Sequence, residues 1–265
     1  MRKSFLFVVV LAVTSSAGAQ TVAPLPATAV FRKVTDDARI AYNKTERPMV
    51  VFDLDGAIFD SRARTAHILR EYADAELRTA RPDAAQRLSS LPPSMIGYML
   101  TDTLSRAGVT EQAVVNNAAV FWSQHFFDDD YVKYDEPVSG AVTFVRNLYT
   151  NGARIVYVSS RDVPRQLIGT VKALRDHGFP IGIAGTEVVL KPTQQTPDAT
   201  FKQQLVTYLR QYGRVVATVD TQPANANDYK RVFPDAAAIL LNGPRAPNQP
   251  QVAPGVTLIA NYGYE

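Results

Sequence analysis

Three short apolar runs, each closing abruptly in reactive side chains, constrain this chain more than any other feature. Met49-Val50-Val51-Phe52 ends in Asp53 and Asp55, with Leu54 between them and Gly56 after them. Ile155-Val156-Tyr157-Val158 ends in Ser159, and Val215-Val216-Ala217-Thr218-Val219 ends in Asp220. An apolar run of this length bounded by polar residues is the pattern of a strand buried on both faces, as in a parallel sheet. From residue 140 to 241 such runs alternate with helical patterns, so the expected fold class is α/β with a mostly parallel, Rossmann-like sheet. In such sheets ligands bind in the crevice outside the carboxyl ends of the strands, and there Asp53, Asp55, Ser159 and Asp220 should meet. Asp53 and Asp55 would project to the same side of an extended chain, where they repel each other unless a proton or a metal ion offsets their charge.

The rest of the chain divides around these strands. Between about residues 61 and 135 the pattern is helical, with apolar spacing of three and four over Thr65–Ala73, Ser94–Ala107 and Glu111–Phe127. The strand at 49–52 belongs with the later ones across this insert. Residues 20–60 and 136–265 therefore read as one α/β core domain and residues 61–135 as an all-helical inserted domain. Within the core, helices are expected to about Tyr149 and over Pro164–His177, Phe201–Tyr212 and Asp228–Phe233. Further strands are expected at Ile181–Ala184, Glu187–Leu190 and Ala237–Leu241.

Residues 1–19 stand apart. Arg2 and Lys3 precede an apolar run from Phe5 to Val13, and Ala17-Gly18-Ala19 has the small-x-small form of a cleavage site, so a secretory signal peptide cleaved after Ala19 is expected. That run is too short to span a bilayer, and no later stretch approaches the roughly 20 apolar residues a span requires. An exported protein, periplasmic or secreted and without a membrane anchor, follows. Removing the leader takes away Arg2 and Lys3 and lowers the formal charge from +3 to +1, so the sequence gives no reason to expect nucleic acid as a partner. The chain has no cysteine, which excludes disulfides, cysteine catalysis and thiolate metal sites, and a hydrophobic content of 46% supplies a core large enough to fold without staples.

The ordered set of strand ends resembles the haloacid dehalogenase (HAD) superfamily, and specifically its phosphatases with a helical, C1-type cap. Asp53-Leu54-Asp55-Gly56 is similar to the family's nucleophile loop, and Ser159 to its phosphate-binding Ser/Thr. Lys202, opening a helix, is similar to its site lysine, with Lys191 in Leu190-Lys191-Pro192 as the rival, and Asp220 to its metal-binding acid. The resemblance covers about residues 47–242 and places the 61–135 insert where the family carries its cap. Two departures are visible. Ala57 stands where Thr or Val is usual, and Val219-Asp220-Thr221-Gln222-Pro223-Ala224-Asn225 has no second carboxylate near Asp220, leaving Asn225 in a supporting role.

The resemblance implies a Mg²⁺-dependent phosphomonoesterase acting on a small phosphate ester. Asp53 would be the nucleophile and form an aspartyl-phosphate, and Asp55 would protonate the leaving oxygen and then activate water. Ser159, Lys202 and Arg161 would contact the substrate phosphate. Mg²⁺ would be held by the side chains of Asp53 and Asp220 and the backbone carbonyl of Asp55. A phosphomutase using the same aspartates and a non-catalytic binder of a phosphate compound are the alternatives. His67, His125 and His177 form no ligand pair at helical spacing and read as ordinary histidines. Asp128-Asp129-Asp130 reads as a solvated hinge, and Phe121, Trp122, Phe126 and Phe127 as the core of the insert.

Overall fold

A computed structural model describes residues 26–263; the leader and cleavage site at residues 1–19 lie outside the described residues. Helix α1 (Ala27–Asn43) opens the described chain and buries Phe31, Val34, Ala38 and Ala41, which recur at three- and four-residue spacing along one face. It leads into β1 (Pro48–Asp53), and a tight turn delivers β2 (Phe59–Asp60). The helical insert follows: α2 (Arg62–Tyr72) with a π-helical turn at 73–77, α3 (Pro82–Ser89), α4 (Leu100–Arg106) and α5 (Gln112–Phe126). A 3₁₀ segment at Asp129–Tyr134 returns the chain to β3 (Glu136–Pro137) and α6 (Ala141–Thr150). The remainder alternates: β4 (Arg154–Asp162), α7 (Val163–Asp176), β5 (Thr186–Lys191), α8 (Asp198–Tyr212), β6 (Arg214–Asp220), α9 (Pro223–Val232), β7 (Ala237–Leu241) and β8 (Val256–Ile259).

Among the described residues six of the eight strands form one sheet in the order β5-β4-β1-β6-β7-β8, with every pairing within it parallel. Alternation along β1 divides the core between its two faces. Val50 and Phe52 pack with Phe31 of α1, Phe144 of α6 and Leu174 of α7. Met49 and Val51 face the other way, against Phe201, Leu205 and Leu209 of α8. Each such side chain, removed from water, contributes about 1.5–3 kcal/mol, which is why this short strand needs no polar face. Asp53 has the parity of Met49 and Val51 and so opens on the α8 side.

The insert leaves and re-enters through an antiparallel pair, Phe59 opposite Pro137 and Asp60 opposite Glu136. It carries its own apolar cluster, with Leu69, Tyr72, Leu88, Leu104 and Ala118 among its members, separate from both faces of the sheet.

Some expectations differ from what is found. Ile181–Ala184 is a turn, because Gly182 and Gly185 adopt left-handed φ of +71° and +82°, which ends strand geometry there. The helix expected from Ser94 begins only at Leu100. Pro93 starts a single 3₁₀ turn, and Ile96 and Met99 are extended. The helix expected at Asp228 starts at Pro223, where proline occupies the first turn and loses no hydrogen bond. Helix α3, also begun by a proline, and strand β8 within the proline-rich tail were not anticipated.

Candidate active site

β1 lies between β4 and β6, so Asp53, Ser159 and Asp220 stand on neighbouring strands around one crevice, although β4 does not end at Ser159 as expected but continues, after a shift of register, to Asp162. The main chain continues past β1 as if still in the sheet, with the Leu54 N–H donating to the Val158 carbonyl at 3.0 Å. That bond carries Asp55 alongside Ser159. Gly56 then turns the chain back: its N–H donates to the Phe59 carbonyl at 2.7 Å, and its φ is +90°. A Cβ there would stand 3.1 Å from Thr221 Cγ2, so both conformation and space call for glycine. Gly56→Ala is expected to cost about 1–3 kcal/mol, measured as a shift in the urea midpoint; a shift of a few tenths would contradict this account of the loop.

A cavity of about 690 Å³ opens beside Asp53 and is lined by Ser160, Asp198, Lys202, Asp220 and Asn225 among others. Lys202 Nζ donates to Asn225 Oδ1 at 2.7 Å, and Asn225 in turn hydrogen-bonds Asp220. The Asp220 carboxylate also accepts from the Gln222 N–H at 2.7 Å. Asn225 thus holds Lys202 and Asp220 together in the place of a second carboxylate. Lys191, at the end of β5, is buried and donates to Asp198 at 2.9 Å; Lys202, not Lys191, lines the cavity with Asp53.

Asp55 is held differently from Asp53. Its Oδ2 accepts from Ser159 Oγ at 3.0 Å and from Arg161 Nε at 3.0 Å, and its Oδ1 accepts from Arg161 Nη2 at 2.7 Å. Burial alone would raise this carboxyl, but the Arg161 guanidinium, with Arg64 and the Ser159 hydroxyl, outweighs it and holds the group down at about 2. Asp53 goes the other way: burial, then the charges of Asp220 and Asp55, lift it well above the usual carboxylate range. Burial pushes Asp220 up to about 6 in spite of its hydrogen bonds and the charge of Lys202. Two aspartates two residues apart are therefore set to different proton affinities by their neighbours.

Two residues expected to contact phosphate are turned elsewhere. Arg161 is buried, with its guanidinium shared among Asp55, Asp135 and Thr170. Ser159 reaches the cavity wall but is buried with its hydroxyl donated to Asp55, while the next residue, Ser160, is exposed and lines the same cavity. Sequence reading missed Ser160, Arg64, Asp135 and Tyr98. Arg64 had a signal, since it shares a helical stripe with the buried Ile68 and Tyr72. Tyr98, on the insert, feels the negative charge of Asp53, Asp55 and Asp198, which adds to partial burial in raising its phenol.

The other candidates have structural partners. Asp128 accepts from the Asp130 N–H and Asp129 from the Gly169 N–H. His125 contacts the Phe121 carbonyl, His177 the Asp135 carbonyl, and His67 stacks on Tyr134. Trp122 donates to Thr65 and stacks on Phe126. Among the described residues no group of three or more His, Asp or Glu side chains gathers to hold a metal, and no helix is long and apolar enough to cross a membrane. The hard carboxylate oxygen atoms of Asp53 and Asp220, raised in proton affinity by burial and, at Asp53, by the neighbouring charge, nevertheless fit the chemistry of a small divalent cation such as Mg²⁺, which they would hold.

Comparison with solved structures shows the fold. A Clostridium difficile protein provisionally named a phosphatase superposes with a TM-score of 0.52 at 16% identity, covering 80% of this chain and 94% of its own. A Burkholderia xenovorans protein provisionally named a haloacid dehalogenase-like hydrolase gives 0.50 at 17%, covering 82% and 94%. A haloacid dehalogenase-like family hydrolase from Streptococcus pneumoniae gives 0.47 at 10%, covering 81% and 94%. No protein-family model and no curated protein sequence matches the chain. The fold is haloacid dehalogenase-like, a Rossmann-type parallel sheet flanked by helices.

Proposed function

We propose that this chain is an exported, Mg²⁺-dependent phosphomonoesterase that hydrolyses a small phosphate ester through an aspartyl-phosphate at Asp53. The observation that carries the reading is the division of labour between Asp53 and Asp55. One faces a cavity with Asp220 and Lys202, and the other is fixed beside it by an arginine fork. The phosphatase name of the C. difficile protein agrees with this reading. Export rests on the leader at residues 1–19, and the helical insert at 61–135 is read as a cap over the crevice, with Arg64 and Tyr98 on its site-facing side.

Phosphoryl transfer asks a protein chiefly for positioning and charge neutralisation. Asp53, Asp220 and the Asp55 carbonyl would hold the Mg²⁺, which would supply neutralisation of charge on the phosphate. Lys202 adds positive charge at the cavity wall, where Ser159 and Ser160 also stand. An Asp53 oxygen attacks phosphorus as the bond to the leaving oxygen breaks, and the leaving oxygen takes a proton from Asp55. Asp55 is ionised in the free site, so its proton arrives with an ester bound as the monoanion. In the second half the Asp55 carboxylate takes a proton from the water that attacks phosphorus, which breaks the Asp53–phosphorus bond and restores the Asp53 carboxylate; the proton then leaves Asp55 with the released phosphate, and the site is ionised again.

The test is turnover of a panel of alkyl and aryl phosphates by the mature chain, with Mg²⁺ and with chelator. Release of phosphate from at least one ester, lost on chelation, is expected. Mg²⁺ at 100 times its Kd should also stabilise the wild type by about 2.7 kcal/mol, seen as a rise in Tm that Asp220→Asn abolishes. A folded wild type inert on the whole panel would overturn the enzymatic reading in favour of a binding protein. Phosphoryl movement between positions of a sugar without net release would favour a mutase.

A further inference from the structure

The scheme above leaves a buried charge cluster beneath the site without a task. Arg64, Asp135 and Arg161 are 0%, 1% and 5% exposed. They come from three places: the first helix of the insert, the point where the insert returns to the core, and the end of β4. Arg64 donates to both oxygens of Asp135, from Nε at 2.7 Å and from Nη2 at 2.6 Å, and from Nη1 to the Phe126 carbonyl at 2.7 Å. Arg161 Nη2 reaches Asp135 Oδ2 at 2.7 Å and Asp55 Oδ1 at 2.7 Å, while Nη1 is held by Thr170 at 3.0 Å. Arg64 Nη2 also lies 3.7 Å from Asp55 Oδ1. Two cations and two anions thus form a closed set in which Asp55 alone is reached by solvent to any extent, its side chain 36% exposed.

Neutrality alone does not explain this arrangement, because buried ion pairs are commonly no more stabilising than apolar packing of equal volume. What the cluster does provide is direction. A planar guanidinium that donates to both oxygens of a carboxylate fixes its plane as well as its position, which an ammonium cannot do. We propose that Arg161, oriented by Asp135 and Arg64, is a positioning residue that aims the Asp55 carboxylate at the leaving oxygen, so that the first helix of the insert takes part in setting the proton-transfer step. This rests on the phosphomonoesterase reading. The contribution of a well-placed proton donor grows as the leaving group becomes poorer, so misaiming Asp55 should be felt most by alkyl esters.

The experiment measures kcat and KM for one alkyl phosphate and one activated aryl phosphate in wild type, Arg161→Lys and Arg64→Gln. In Arg161→Lys the alkyl-to-aryl ratio of kcat is expected to fall about tenfold or more, with KM for both esters within about threefold. Arg64→Gln, farther from Asp55, should shift the ratio in the same direction by less. Both esters are turned over by one preparation, so partial unfolding scales both rates and leaves the ratio where it was. A ratio equal to wild type in Arg161→Lys, whether both rates persist or fall together, overturns the proposal. A wild type inert on both esters would instead overturn the phosphatase reading on which it rests.

Discussion

Asp53→Asn is expected to abolish turnover, with a loss on the order of 10⁴-fold or more, the scale seen when a covalent nucleophile is removed. The amide keeps the shape and most of the packing at the end of β1, where the Phe52 side chain and the Leu54 backbone already fix the chain. It does not keep an anionic oxygen to attack phosphorus. It also removes one member of a carboxylate pair that repel each other, since the Asp220 charge helps to raise Asp53. The metal-free variant should therefore melt at or above the wild-type temperature while being inactive. Activity lost together with a large fall in Tm would show only that the fold had failed, and turnover that survives the substitution would sink Asp53 as nucleophile.

The second large effect is expected at Asp55. Asp55→Asn should lower kcat on alkyl phosphates by about 10²–10⁴-fold, the usual contribution of a placed proton donor and acceptor. Activated aryl phosphates, whose leaving group departs without a proton, should still transfer their phosphoryl group to Asp53. Hydrolysis of that acyl phosphate then slows, because the amide takes no proton from water. The expected record is a rapid burst of phenol followed by slow turnover. The asparagine also leaves Arg161 short of one anionic partner in a cluster balanced by Asp55 and Asp135, so a lower Tm should accompany the effect. Uniform slowing of both ester classes without a burst would contradict the acid/base role.

The positions of the four strand-end residues were legible because their cause is local and strong. Apolar runs buried on both faces announce parallel strands, and a parallel sheet brings its carboxyl ends together whatever their separation in sequence. Asp53, Asp55, Ser159 and Asp220 meet in this way. What sequence could not supply was the direction of long side chains. Arg161 lies two residues past Ser159 and was expected at the phosphate. Its guanidinium turns inward instead, because Asp135, Thr170 and Asp55 are all within reach of it. Asp55 lies 106 positions away and Asp135 26, and no periodicity links such positions. The Ser159 hydroxyl follows Asp55 for the same reason. Among the secondary elements, the misreadings fell where single glycines or prolines outweighed the apolar pattern, as at Gly182 and Gly185 in the turn before β5 and at Pro223 at the start of α9. Ala57 illustrates a further kind of limit. Its carbonyl accepts from the Tyr262 hydroxyl at 2.8 Å, a partner 205 positions on that no local pattern announces.

The covalent intermediate is where the account is most exposed. Asp55→Asn mixed with an activated aryl phosphate and Mg²⁺, quenched in acid within the burst and digested, can be read by mass spectrometry peptide by peptide. A single phosphoryl group on the peptide that contains Asp53, absent when Asp53→Asn is added to the same chain, is the result predicted. A burst with no phosphorylated peptide, or a phosphoryl group on any other residue, would contradict it.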